Sequence, residues 1–174
     1  MEHHSVLSTG FYTISFGVMV LASIMLLLFG FEPLVNRYVP VITTLIPTTL
    51  SIGLVHDYLP KMTLSYAILV GIIYMVSVWV RFTAAEKTAA LVLALTHGIS
   101  GLLVFILPIV LYTSYGLPAR LLLVSIGGLI IGIEGIFLAL QKMGYLKIEL
   151  KTILAWFPVM LLAATSAFVG GLNI

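Results

Sequence analysis

Residues 83–142 read TAAEKTAALVLALTHGISGLLVFILPIVLYTSYGLPARLLLVSIGGLIIGIEGIFLALQK, two long apolar runs on either side of a polar break. Thr83-Ala84-Ala85-Glu86 has the form of a capping box. In that motif the Thr hydroxyl and the Glu carboxylate each satisfy a backbone N–H at a helix start. An apolar run then continues to Leu111. Tyr112-Thr113-Ser114-Tyr115-Gly116 is turn chemistry, and Pro118 suits the first turn of a helix, where its missing N–H costs nothing. The second run reaches about Gln141, with Gly144 as its stop. The stretch predicts a helical hairpin, each arm long enough to cross a bilayer.

Each arm carries one ionisable side chain inside its apolar run. His97 lies 18 residues before Tyr115 and Glu134 lies 19 after it, so an antiparallel hairpin brings the two to nearly equal depth. At the helical rise, Glu134 sits about 12 Å inside Lys142, within the hydrocarbon. A lone charge there costs roughly 3 kcal/mol or more. The expectation is that His97 and Glu134 meet, or that each finds a partner on another helix. Ala90, Ala94 and Gly101 share the His97 face at helical spacing. Gly127 shares the Glu134 face, and Gly128, Gly132 and Gly135 lie beside it. Small residues let helices approach closely in lipid. This intramembrane polar pair reads either as a clip that fixes helix register or as a proton or ligand site.

The rest of the chain is of the same character. It is 61% hydrophobic and only 8% charged, with mean hydropathy +1.24, where a soluble domain carries about 25% charged residues. The class is an integral membrane protein, a single transmembrane domain over residues 1–174. A net charge of +2, scattered along the chain, does not suggest nucleic acid. The absence of cysteine excludes disulfides, thiol catalysis and Cys-based metal sites.

Met1 to Thr9 is a polar lead whose His3-His4 pair reads as a mobile terminus rather than a metal site. Residues 11–29 form the first span. No basic segment precedes it and no clear cleavage site follows, so it reads as retained rather than as a signal peptide. A loop with Glu32, Pro33 and Arg37 leads to the second span, residues 41–58, the least lipid-like of all. There Thr44, Thr48 and Ser51 make one stripe of hydroxyls beside Pro47, which frees a backbone carbonyl. The stripe reads either as hydroxyls bonded back to their own helix or as a polar pathway. His56 and Asp57 close that span as surface polar groups. Spans at 64–80, 84–111, 118–141 and 151–169 complete the set. Trp79 and Arg81 mark one interface, Trp156 lies near another, and Pro108 and Pro158 are expected kinks.

The expected fold is all-α, a polytopic bundle of six transmembrane helices. Six spans put both termini on one side. Arg37, Arg81, Lys87, Lys142, Lys147 and Lys151 lie in the opposite loops, against Lys61 and Arg120 on the termini side. This asymmetry predicts termini outside and three basic loops in the cytoplasm, in a multi-pass plasma-membrane protein. Ser51-Ile52-Gly53 and Ser125-Ile126-Gly127 occupy comparable places in the second and fifth spans. With three spans per half, that match raises the possibility of an inverted repeat.

No reaction motif is present: no H-E-x-x-H, no P-loop, no nucleotide fingerprint, and no Ser or Asp cluster of hydrolase type. His56 and His97 differ in depth by roughly 10 Å, which argues against a shared haem iron. No metal or cofactor is expected, and haem or quinone stands only as a further alternative. The segment THGISGLLVFILPIVLYTSYGLPARLLLVSIGGLIIGIEGIFLAL resembles the hairpin of HdeD-like acid-stress membrane proteins, with Gly98, Gly101, Pro108, Gly127, Gly132 and Gly135 at matching places. The resemblance covers residues 96–140 and implies a six-span membrane protein without catalytic residues. The first span departs from the pattern, because no Pro closes it before Phe29. The leading expectation is a non-catalytic subunit, not an enzyme by itself, whose partners are lipids and other membrane subunits or copies of itself. It would sit in a respiratory or transport complex. The rival is a small transporter, channel or proton relay built on His97, Glu134 and the Thr44/Thr48/Ser51 stripe.

Overall fold

The computed structural model describes residues 5–30, 32, 36–142, 145–147 and 149–173. His3, His4, Pro33 and Gly144 lie outside the described residues. Among the described residues there is no strand, and six helices carry the chain: α1 Val6–Phe29, α2 Val39–Tyr58, α3 Thr63–Thr83, α4 Glu86–Tyr115, α5 Leu122–Lys142 and α6 Leu150–Leu172. Each is long and apolar enough to cross a membrane.

The six expected spans fall on these six helices, and the differences lie at the ends. Helix α1 starts five residues early because Ser5 caps it, its Oγ accepting from the Ser8 N–H at 3.1 Å. The capping box at Thr83 does not form. Thr83 is the last residue of α3, and its hydroxyl donates back to the Trp79 carbonyl at 2.8 Å. Extended Ala84 breaks the helix, and α4 begins at Glu86. Helix α4 also runs on through Tyr112 to Tyr115, where Thr113 bonds the Ile109 carbonyl at 2.9 Å. Gly116, at φ 65°, ends it. The Leu117 N–H then reaches back to the Leu111 carbonyl at 3.3 Å. Pro118 caps a 3-10 turn, Ala119–Leu121, that precedes α5.

The chain divides into two compact units, Met1–Gly101 and Leu102–Ile174, with the boundary inside the continuous α4. In the first unit α2 is the centre, buried along most of its length. Helix α1 lies antiparallel to it: Tyr12 near the start of α1 donates to Asp57 near the end of α2, at 2.9 Å. Farther along, the Ser15 hydroxyl donates to the Ile46 carbonyl at 3.0 Å, in the turn that Pro47 interrupts. On its other side α2 meets antiparallel α3. The Tyr74 hydroxyl donates to the Val41 carbonyl and the Arg81 Nε–H to the Arg37 carbonyl, each at 3.3 Å. The Tyr38 and Phe82 rings lie 5.3 Å apart beside them.

The second unit repeats this chemistry with other elements. The Ser125 hydroxyl of α5 donates to the Phe105 carbonyl of α4 at 2.6 Å, in the turn that Pro108 interrupts. Helices α5 and α6 run antiparallel, with Gly171 against Val124 and Gly127 against Ala164 and Phe168. The two Ser-Ile-Gly segments therefore share a local role. Gly53 makes room for the ring of Tyr12 from α1, and Gly127 makes room for the ring of Phe168 from α6. An inverted repeat would map α1 onto α4, not onto α6, so the shared role reflects close helix packing rather than a repeated order of elements.

A methyl group at Gly53 would strike the Tyr12 ring, which its bond to Asp57 holds in place. Gly53→Ala is expected to lower stability by about 1–3 kcal/mol. In the isolated chain, Gly17→Ala, where a methyl meets nothing within 4 Å, is expected to be neutral or stabilising by up to about 1 kcal/mol. Denaturant titration of both variants in detergent checks this.

Candidate functional site

The buried face of α5 runs through Val124 and Gly127 to Glu134. Glu134 is 5% exposed, and its Oε1 has no hydrogen-bond partner among the described residues. Gly127 packs against Ala164 and Phe168 of α6. Following that antiparallel register seven residues on, Glu134 falls level with residues 157–161 of α6, where Pro158 removes a backbone donor. The site is a carboxyl group among apolar helices with one oxygen left over. Such a group can hold a proton, accept a hydrogen bond from a donor on another chain, or attract a cation.

His97 is half-buried on the part of α4 that belongs to the first unit. The buried positions of α4 are Ala89, Leu93, Thr96, Ser100, Val104, Pro108 and Leu111. This face lies beside the one that carries His97, and Ala90 and Ala94 on that neighbouring face are exposed. Of the small residues expected to pack helices, Gly127 and Gly128 do so within the chain, Gly128 against Val104 and Phe105 of α4. A side chain at Gly101, Gly132 or Gly135 would meet nothing within 4 Å. The level pairing of His97 with Glu134 rests on helical rise alone, since the two residues fall in different units.

The hydroxyl stripe of α2 is bonded to its own helix. Thr44 donates to the Pro40 carbonyl at 2.8 Å, Thr48 to Thr44 at 2.7 Å and Ser51 to Thr48 at 2.8 Å. All three residues are buried. Asp57 is more than a surface group, because the nearly inaccessible Tyr12 ring delivers its hydroxyl to it. His56 is half-buried, with Nδ1 unpartnered among the described residues.

Several polar residues of structural weight escape a reading of the sequence: Tyr12, Ser15, Tyr66, Ser100 and Ser125. Single hydroxyls inside apolar runs carry no spacing signal. Only Ser125 had one, through its place in the Ser-Ile-Gly match. Among the described residues no three His, Asp or Glu side chains come together as a metal site. Near the α1–α2 connection, Met25, Phe29, Glu32, Asn36 and Val39 line an open cleft of ≈ 350 Å³. Comparison with protein-family models, with curated proteins and with solved structures finds no match.

The Tyr12–Asp57 contact is expected to hold α1 on α2. Tyr12→Phe should lower stability by about 1–3 kcal/mol, whereas Asp57→Asn, which keeps an accepting carbonyl, should cost less. Equal losses in a denaturant titration would show that the hydrogen bond needs the ionised carboxylate as its acceptor.

Proposed function

We propose that this chain is a non-catalytic, multi-pass subunit of a larger assembly in the plasma membrane, with both termini outside. Partner helices, from other subunits or from copies of the chain, pack on its glycine faces. One observation carries the reading. Gly10, Gly17, Gly71, Gly98, Gly101, Gly132 and Gly135 all lie in membrane-length helices, and a methyl at any of them would meet nothing within 4 Å. Glycine in a helix interior costs about 1 kcal/mol relative to alanine. In lipid, that cost is offset where another helix approaches the bare backbone. The excess of basic residues in the loops opposite the termini supports the orientation.

A second reading rests on Glu134. Its buried, partly unsatisfied carboxyl group suits a proton or ion relay with His97, in a small transporter or channel.

Purification in mild detergent, followed by a native gel, tests the first reading. A particle larger than one chain is expected. The double variants Gly98→Leu/Gly101→Leu and Gly132→Leu/Gly135→Leu should shrink it without unfolding the chain. Migration as a single chain, unchanged by these variants, would overturn the subunit reading. For Glu134, a structural role predicts that Glu134→Gln folds well and Glu134→Lys poorly. A relay predicts that Glu134→Gln folds but abolishes proton or solute flux in liposomes.

A further inference from the structure

Two arginines are held side by side where α2 and α3 meet at one end of the first unit. The Arg81 Nε–H donates to the Arg37 carbonyl at 3.3 Å, which seats its guanidinium against the backbone of the other arginine. One residue further along each segment, the Tyr38 and Phe82 rings lie 5.3 Å apart. The Tyr38 N–H is fixed in turn by the Asn36 side chain, which accepts it at 3.0 Å. These contacts set the place of both arginines. Arg37 is exposed and Arg81 is half-buried.

Neighbouring like charges repel unless an anion joins them. The chain supplies none. Among the described residues no carboxylate pairs with either arginine; Glu32 and Glu86, the acids nearest in the chain, are exposed and unpaired. The bond to Arg37 occupies only the Nε–H of Arg81. The N–H groups of its two Nη atoms, and those of Arg37, have no partner among the described residues. A planar fork of this kind matches two oxygens of a phosphate. The surroundings say which phosphate. Tyr38, Trp79 and Phe82 are exposed at this end, on or beside helices of bilayer length. Exposed aromatic rings at span ends lie at the level of lipid headgroups. An anion that meets the arginines there carries acyl chains.

We propose that Arg37 and Arg81 form a binding site for the phosphate headgroup of an anionic phospholipid, with the Tyr38 and Phe82 rings beside its glycerol. Arg81 presents a fork held in place by its own Nε–H, and Arg37 completes the site from the start of α2. The inference needs the six helices to lie in a bilayer. It does not depend on whether the chain joins an assembly.

Native mass spectrometry of the full-length protein, released from micelles with equal phosphatidylglycerol and phosphatidylcholine, tests it. One phosphatidylglycerol is expected to be retained in preference. Arg37→Gln leaves the accepting carbonyl in place and should cut that retention about five-fold, with phosphatidylcholine unchanged. The double variant Arg37→Gln/Arg81→Gln should cut it further. Arg81→Lys keeps the charge without the fork, and should fall between the native protein and Arg81→Gln. No preference for phosphatidylglycerol in the native protein overturns the proposal. Lys87→Gln removes one exposed charge from the first turn of α4. A loss there as large as in Arg37→Gln would mean diffuse attraction, and overturns the site. Displacement of the lipid by excess inorganic phosphate would make it a site for free phosphate, and overturns the lipid assignment.

Discussion

A polar group carried into hydrocarbon has no water to fall back on, so its partner must come from the protein. Backbone amides meet this demand by making helix, and the described chain has six helices long and apolar enough to cross a membrane. Side-chain hydroxyls meet it by bonding carbonyls, on their own helix or a neighbouring one. Helix α2 depends on this most. It carries five hydroxyl groups between Thr43 and Ser51, and each donates to a carbonyl of its own helix. With its polarity absorbed internally, α2 can occupy the buried centre of the first unit, although by hydropathy it is among the least apolar of the six.

Serines also bond across helices close to the prolines: Ser15 donates to Ile46, the residue before Pro47, and Ser125 donates to Phe105, three residues before Pro108. These bonds are directional, and apolar side chains alone would not fix helix rotation in lipid as narrowly. Glycine then sets separation. At Gly53 and Gly127 an aromatic ring from the neighbouring helix occupies the space of the missing side chain. Rotation is held by hydroxyls and distance by glycines, and together they define each unit.

Against this background the exceptions are informative. Glu134 retains an unsatisfied carboxyl oxygen, Ser100 an unsatisfied hydroxyl, and seven helix glycines an uncovered backbone. Each is a demand that the residues contacting it do not meet. On the proposed reading, the uncovered glycines are where helices from outside pack. The carboxyl group is compatible with a donor on another chain or with a mobile proton.

The amino-acid sequence by itself determined the number of helices and the place of each within a few residues. Apolar runs of bilayer length have only one way to satisfy their backbone, and that is local. Its errors fell at helix ends, as at Thr83, where the same hydroxyl can cap the next helix or bond the previous one, and a four-residue motif does not say which. Back-bonding of the Thr44, Thr48 and Ser51 stripe was one of the two readings open in the sequence, because each donor has an acceptor on its own helix three or four residues back. Tertiary structure alone decided which face of α4 is buried, turning Thr96 and Ser100 inward and leaving Ala90 and Ala94 exposed. It also decided that Tyr12 reaches Asp57. The physical reason is that lipid-facing and helix-facing surfaces are equally apolar. Hydropathy therefore carries no signal for rotation about a helix axis, and only contacts between helices select it.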